Sequence, residues 1–123
     1  MPAAQPKIPG PDHPITISQS NARVRVSLDG DVIADTSDAL DLKESTYPVV
    51  HYIPRSAVQM ELVKTGHSTH CPYKGDASYF SILAKDGTRI ENAVWSYEAP
   101  FPAMREIAGY LAFYPNKVAI RAS

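Results

Sequence analysis

The sequence predicts a mainly β domain, in which short antiparallel strands form a bent barrel or sandwich with one short helix in the C-terminal half. Two observations carry this prediction: many short runs of β-forming residues, and two Asp-Gly pairs, Asp29-Gly30 and Asp86-Gly87, at hairpin positions. In addition, only one segment has apolar residues at the spacing of a helix. The length of 123 residues fits one domain. With 44% hydrophobic and 20% charged residues, the composition excludes a disordered, collagen-like or coiled-coil chain.

The N-terminal segment differs from the rest of the chain in its proline content. Five of the eleven prolines lie in the first fourteen residues: Pro2, Pro6, Pro9, Pro11 and Pro14. Such a segment favours extended backbone. We therefore expect a Pro-rich extended arm over residues 1–13, followed by a single β-rich domain over residues 14–123.

Strand patterns begin at Ile15 and continue through the first half of the domain. Residues 23–28 alternate polar and apolar, Asp29-Gly30 supplies a tight turn, and residues 31–35 return as the partner strand. Residues 39–43 alternate again, and a β-rich run over residues 47–53 ends at a proline. The sequence thus predicts one hairpin and two further strands here.

The second half repeats these signals. Residues 55–63 fit a short helical turn that enters a strand, because Pro54 and Ser56 offer a start and apolar residues spaced by two follow. Residues 77–83 form a β-rich run, and after the second Asp-Gly pair residues 92–97 form its returning partner. A second hairpin is therefore expected.

The predicted helix covers residues 103–110. Pro102 suits its first turn, and four apolar residues share one face at helical spacing: Met104, Ile107, Ala108 and Leu111. After the helix, residues 111–114 and 118–121 are expected to pair as a closing hairpin around a turn at residues 115–117.

Charge and motifs restrict the function classes. A net charge of −1 leaves no basic excess for nucleic acid, and no apolar stretch approaches the ~20 residues that span a bilayer. We expect no membrane association and, without a secretory signal, a cytoplasmic location. The phosphate-binding glycine motifs are absent, and one cysteine forms neither an internal disulfide nor a CxxC zinc site. No cofactor or metal is therefore predicted.

The expected partner is a small-molecule ligand. The sequence leaves the oligomeric state open, and a homodimer is one alternative.

The densest chemical cluster is GHSTHCPYKGD, over residues 66–76. Pro72 keeps Cys71 in extended or turn backbone, and a turn at Gly75 returns Lys74 toward the thiol. A nearby cation stabilises a thiolate, so Cys71 and Lys74 are the candidate catalytic residues, with His70 as an aid. The alternatives are a cysteine packed as a small hydrophobe and a solvated turn lysine. His67 and His70 have no third ligand at characteristic spacing, so they predict no metal site.

A second cluster supplies candidate ligand-binding residues. Trp95 and Tyr97 share one face of a strand by period 2 and form a stacking platform for a planar ligand. Tyr52 offers a hydroxyl and Arg55 a bidentate contact to an anion. Lys74, with its cationic side chain, and His70 are further candidate ligand-binding residues. The alternatives are a core tryptophan with a rim tyrosine, and an arginine bonded to neighbouring carbonyls.

Five segments, in chain order, resemble a known family. They are residues 24–35 with the Asp-Gly turn, YPVVHYIPRSAV, HCPYKGDASYF, AVWSYEAPFPAM and IAGYLAFYPNKV. Together, over about residues 20–121, they resemble domain-of-unknown-function family 427 of small, mostly bacterial proteins; CPYKG and WSYE are the specific part. After the Tyr-x-Pro-Arg stretch the family commonly has an acidic residue, and this chain has Ser56-Ala57.

The resemblance implies a β-tent-like fold, similar to that of methionine-R-sulfoxide reductases. Many β-tent proteins hold zinc with paired CxxC motifs; this sequence has none, so no zinc is carried over. Some family labels suggest nucleotidyl transfer, which normally needs carboxylates that hold Mg²⁺. Here the acidic pairs Asp29/Asp31 and Asp35/Asp38 fit hairpin and turn positions. The resemblance therefore implies a fold and a pocket but no reaction.

Three hypotheses follow. The first is a domain that binds a small anionic or planar ligand between CPYKG and WSYE. The second is a thiol-dependent enzyme that uses Cys71. The third is a protein-interaction module whose Pro-rich arm docks on a partner or on a second copy of the chain.

Overall fold

Ten strands form three antiparallel sheets in the computed structural model, which describes residues 6–123. The strands are β1 (Ile15–Gln19), β2 (Val24–Leu28), β3 (Asp31–Thr36), β4 (Leu40–Glu44), β5 (Val50–Tyr52), β6 (Glu61–Cys71), β7 (Gly75–Leu83), β8 (Arg89–Ser96), β9 (Ala112–Phe113) and β10 (Ala119–Ala122). The sheet orders are β1-β4-β5, β10-β2-β3 and β6-β7-β8-β9. The predicted mainly β class is confirmed, and the described strands form no closed barrel. The first five residues of the predicted arm lie outside the described residues.

Both predicted hairpins are present. At the first turn, Asp29 and Gly30 have positive φ values of 51° and 88°, the conformation that an Asp-Gly hairpin turn requires. At the second, the Asp86 carboxylate accepts a hydrogen bond of 2.9 Å from the backbone N–H of Thr88, and this bond lowers the pKa of Asp86 below its ordinary value. Local turn chemistry therefore sets both hairpins.

The four-stranded sheet packs against both of the other sheets. Its Phe80, Ile82 and Val94 share one core cluster with Val24 and Val26 of β2. A second cluster joins it to the β1-β4-β5 sheet and consists of Leu42, Tyr52, Ala77, Tyr79, Tyr97, Met104, Ile107 and Ala112. Each fully buried aliphatic side chain in these clusters contributes about 1.5–3 kcal/mol to the free energy of unfolding. The second cluster places β4 and β5 beside β7 and β8, where the candidate site lies.

The predicted helix is shorter and tighter than expected. A 3₁₀ helix covers Pro102–Ile107 with Pro102 in its first turn, and Met104 and Ile107 are its buried residues. The spacing of three between these residues suits a 3₁₀ helix. Ala108 has an extended ψ of 122°, and the N–H of Gly109 donates to the Tyr97 carbonyl. The helix therefore ends at Ile107 and does not continue as an α-helix.

The predicted closing hairpin is wrong. β9 pairs with β8, and β10 pairs with β2, so the two segments around residues 115–117 belong to different sheets. The turn itself is present, with the N–H of Lys117 bonded to the Tyr114 carbonyl. The helical turn expected before β6 is confirmed as a 3₁₀ helix at Arg55–Ala57.

Candidate functional site

Lys74 lies in the turn between β6 and β7 and is 7% exposed. Its backbone N–H donates to the Cys71 carbonyl at 3.3 Å, and its own carbonyl accepts from Phe101 N–H at 3.0 Å. The next residue, Gly75, has a φ of 109°, where a side chain is strained. The backbone on both sides of Lys74 is therefore fixed, and the side chain points into the protein rather than into solvent.

The Lys74 ammonium is paired with the carboxylate of Glu44, at the end of β4. Nζ lies 2.5 Å from Glu44 Oε1, and His13 Nε2 lies 2.7 Å from the other oxygen, Oε2. Burial by itself raises the pKa of Glu44, but the hydrogen bonds from Lys74 and His13 outweigh burial, so the pKa lies below its ordinary value of 4.5. The Glu44 carboxyl group is therefore ionised at neutral pH. The ring of His13 also stacks on Tyr73, with centroids 4.3 Å apart.

A cavity of about 190 Å³ opens beside this ion pair. Its lining is mostly aromatic and comes from β4, β5, β7, β8 and the loops around them. The lining residues are Leu42, Glu44, Tyr47, Pro48, Val50, Tyr52, Lys74, Tyr79, Trp95, Tyr97 and Tyr114. One charged pair thus lies in a cavity with five tyrosines and one tryptophan.

The aromatic side chains hold one another in place. Trp95 Nε1 donates to the Tyr52 hydroxyl at 3.3 Å, and the Trp95 ring tilts against Tyr114 with centroids 4.5 Å apart. The Tyr114 hydroxyl donates to that of Tyr79 at 3.1 Å. These bonds restrict the rotamers of the lining and preorganise the cavity for a ligand.

Three of the cavity tyrosines, Tyr52, Tyr97 and Tyr114, have raised pKa values. Burial raises the pKa of Tyr52 to about 12 and also raises the pKa values of Tyr97 and Tyr114. At neutral pH these groups act as hydrogen-bond donors and acceptors, and none is a ready general base. The Lys74 ammonium also lies 5.9 Å from the centroid of the Tyr97 ring, which adds a cation–π contact.

Cys71 is half-buried at the end of β6. Its Sγ lies 3.8 Å from Lys74 Nζ, and its side chain packs against the second core cluster. The predicted approach of thiol and ammonium is therefore present. Cys71 itself does not line the cavity.

Two predicted ligand-binding residues lie elsewhere. Arg55 Nη2 is 3.5 Å from Glu98 Oε2, and the guanidinium carbon of Arg55 lies 5.2 Å from the centroid of the Phe80 ring. His70 Nδ1 is 2.7 Å from Asp76 Oδ1, on the exposed face of the β6–β7 ladder. Neither side chain lines the cavity, whereas Tyr52, Lys74, Trp95 and Tyr97 all do.

Sequence reasoning missed Glu44, His13, Tyr79 and Tyr114. Glu44 ends an alternating strand, and His13 belongs to the segment interpreted as an arm, so neither position carries a local signal. Tyr79 had one usable signal: Ala77 and Tyr79 alternate with the polar Ser78 in a β-rich run, which places both on the same face of a strand.

Two searches of the described residues bear on other site classes. Residues 6–123 contain no group of three or more His, Cys, Asp or Glu side chains placed to hold a metal ion. No helix in this part of the chain is long and apolar enough to cross a membrane.

Comparison with known proteins gives one finding. Residues 16–123 match the model of a family described as Domain of unknown function (DUF427), whose short name refers to nucleotidyl transfer. The search of curated proteins gave no match. The matched region includes every cavity-lining residue but begins after His13.

Proposed function

Because the chain belongs to the DUF427 family, whose description assigns no function, we propose from its own site that it binds a small planar ligand in the aromatic cavity. The polar edge of the ligand hydrogen bonds to Lys74 and Glu44, and its ring packs among the tyrosines and Trp95. We expect a planar ligand because the cavity walls are mostly aromatic, and flat rings stack on or pack edge-to-face against aromatic side chains.

The observation that carries this proposal is a buried, paired ammonium at the wall of an aromatic cavity. Lysine is rarely buried, and desolvation of two charges offsets most of their attraction, so such a pair contributes little to stability by itself. At a cavity wall it has a second use, because Lys74 presents donors and Glu44 presents acceptors to anything that enters. Both are pre-positioned, so a ligand meets a low entropic cost.

The pair also favours a neutral ligand over an anion. An isolated lysine attracts carboxylates and phosphates, but the Glu44 carboxylate at 2.5 Å already neutralises this one. An anion entering the cavity therefore meets an ammonium whose charge is already balanced by a carboxylate. A planar amide-like edge, with one donor and one acceptor, complements both partners.

Size sets a further limit. The cavity of about 190 Å³ is smaller than the roughly 300–1,000 Å³ of sites that take drug-sized ligands. A single ring with one polar substituent is the matching size.

The test is a titration with matched one-ring compounds, benzamide and benzoate, read by fluorescence of Trp95, the one tryptophan in the chain. We expect benzamide to bind more tightly than benzoate at pH 7.5. Lys74→Met should abolish binding, and Glu44→Gln should shift the preference toward benzoate. The matched control is Lys85→Met, because Lys85 is exposed and outside the cavity. Binding that survives Lys74→Met unchanged would contradict the proposal.

A thiol reaction at Cys71 is the second candidate, supported by the 3.8 Å approach of Lys74 Nζ to Sγ. In this candidate reaction the Cys71 sulfur attacks an electrophile, with the Lys74 side chain in contact with it. Mass spectrometry after brief treatment of the folded protein with iodoacetamide tests it, since the thiolate displaces iodide and gains a carbamidomethyl group. We expect modification of the wild type and slower modification of Lys74→Met. A Cys71 that stays unmodified until urea unfolds the protein removes this candidate.

A further inference from the structure

We propose that the ligand has two parts: a planar polar head in the cavity and an apolar tail that lies along an adjoining groove. This inference rests on the proposed function and specifies its ligand class. The groove has a volume of about 490 Å³. It shares four lining residues with the cavity: Tyr47, Pro48, Val50 and Trp95.

The shared residues make the two spaces direct neighbours. Tyr47 and Pro48 belong to the loop between β4 and β5, and Val50 and Trp95 belong to the strands that follow it and face it. On this proposal, a ligand seated in the cavity extends past Trp95, which lines both spaces, into the groove. The cavity alone, at about 190 Å³, has no room for a ring and a chain together.

Polarity changes along this path. The cavity contains the Lys74–Glu44 pair, whereas the residues that line only the groove are Val49, His51, Phe113, Pro115 and Ile120. His51 is the one ionisable side chain among those five, and its Nδ1 is already 2.6 Å from Asp41 Oδ1. The groove therefore offers mainly apolar contact. A ligand that matches both spaces is amphipathic.

Two of the groove residues are large hydrophobic side chains exposed to solvent. Tyr47 is 61% exposed and Val49 is 45% exposed. Contiguous exposed apolar surface on a protein commonly marks a binding site. Because the groove shares four lining residues with the cavity, we take the tail of the same ligand as its occupant, and the test also distinguishes a second copy of the chain.

The experiment extends the benzamide titration with 4-alkylbenzamides from methyl to hexyl. Burial of each methylene is expected to raise affinity about three- to fourfold until the groove is filled. Val49→Asp should remove most of this dependence on chain length and leave benzamide affinity unchanged. Val32→Asp is the matched control, because Val32 is equally exposed at 45% and lies on β3, outside both spaces.

The outcomes separate this inference from the proposed function. If benzamide binds but alkyl chains add no affinity, or if Val49→Asp leaves the chain-length dependence intact, the two-part ligand is wrong and the cavity ligand stands. If Val49→Asp changes only the mass measured by sedimentation, the groove joins two copies of the chain and this inference is overturned. If no ring compound binds, both proposals fail.

Discussion

The Lys74 ammonium donates a hydrogen bond of 2.5 Å to the Glu44 carboxylate, although the two residues are 30 positions apart in the sequence. The contact links the β6–β7 turn of the four-stranded sheet to the end of β4 in a three-stranded sheet. Lys74 and Glu44 side chains are only 9% and 18% exposed. The pair therefore connects the two sheets that form the cavity.

Removal of one partner should destabilise the protein. Glu44→Gln leaves the buried Lys74 ammonium without a counter-charge, and we expect the free energy of unfolding to fall by about 2–3 kcal/mol, less than the roughly 3–5 kcal/mol of a fully buried pair. Urea denaturation at pH 7 measures it. The double variant Glu44→Gln/Lys74→Met should recover part of the loss, because it leaves no buried charge.

The control for that comparison is Glu61→Gln, at an exposed position with no ion pair among the described residues. It should change stability by less than about 0.5 kcal/mol. Equal effects of the two single substitutions would show that the Glu44–Lys74 pair has no special energetic role.

Acid should remove the contribution of Glu44. Its pKa in the folded protein lies below the ordinary value of 4.5, so the carboxylate binds fewer protons in the folded than in the unfolded chain at intermediate pH. The stabilisation is fully present above about pH 4.5 and is lost as the pH falls through the folded pKa. The stability difference between wild type and Glu44→Gln should therefore shrink from pH 6 to pH 3 in urea titrations. A difference that stays constant over this range would contradict the assignment.

Tyr52→Phe isolates the hydrogen bond from Trp95. Tyr52 is 2% exposed, and its hydroxyl accepts from the indole N–H at 3.3 Å. Loss of the hydroxyl leaves that N–H unpaired, so we expect a loss of about 1 kcal/mol and a shift of Trp95 emission to shorter wavelength. Tyr47→Phe, at a tyrosine that is 61% exposed, serves as the control and should leave stability unchanged.

Gly75→Ala tests the turn that positions Lys74. At a φ of 109° a Cβ is strained, and it would lie 3.6 Å from the backbone of Phe101 and Pro100. We expect a loss of about 1–3 kcal/mol in urea denaturation. Gly66→Ala, where a Cβ meets no atom within 4 Å, should stay within about 0.5 kcal/mol of wild type. Similar losses in both variants would argue against strain as the cause.

The fold was predictable where two adjacent residues determine the geometry. Asp29-Gly30 and Asp86-Gly87 adopt tight turns, so the strands on each side had to pair. The partner of β10 was not predictable, because residues 119–122 could pair locally with β9 or distantly with β2. In the structure β9 pairs with β8 and β10 pairs with β2. Similarly, the spacing of Met104 and Ile107 suits both an α-helix and a 3₁₀ helix.

The site was predictable to the extent that its residues cluster in the sequence. Lys74, Trp95, Tyr97 and Tyr52 stand in short, chemically distinctive segments, and all four line the cavity. Arg55 and His70 stand near the same segments, but neither lines the cavity. The 3₁₀ turn directs Arg55 to Glu98, and alternation along β6 directs His70 to Asp76. Glu44 reaches Lys74 only through the packing of two sheets, which no local pattern encodes.

The pairing of β10 with β2 has a consequence for how the protein is made. β3 pairs with one edge of β2, and the other edge of β2 has no partner in this sheet until residues 119–122 have been synthesised. The hairpin can form early, but its sheet is completed only by a contact that spans nearly the whole domain, and such long-range closure slows folding. During synthesis β2 therefore presents an open strand edge, a surface on which nascent chains can associate or chaperones can act.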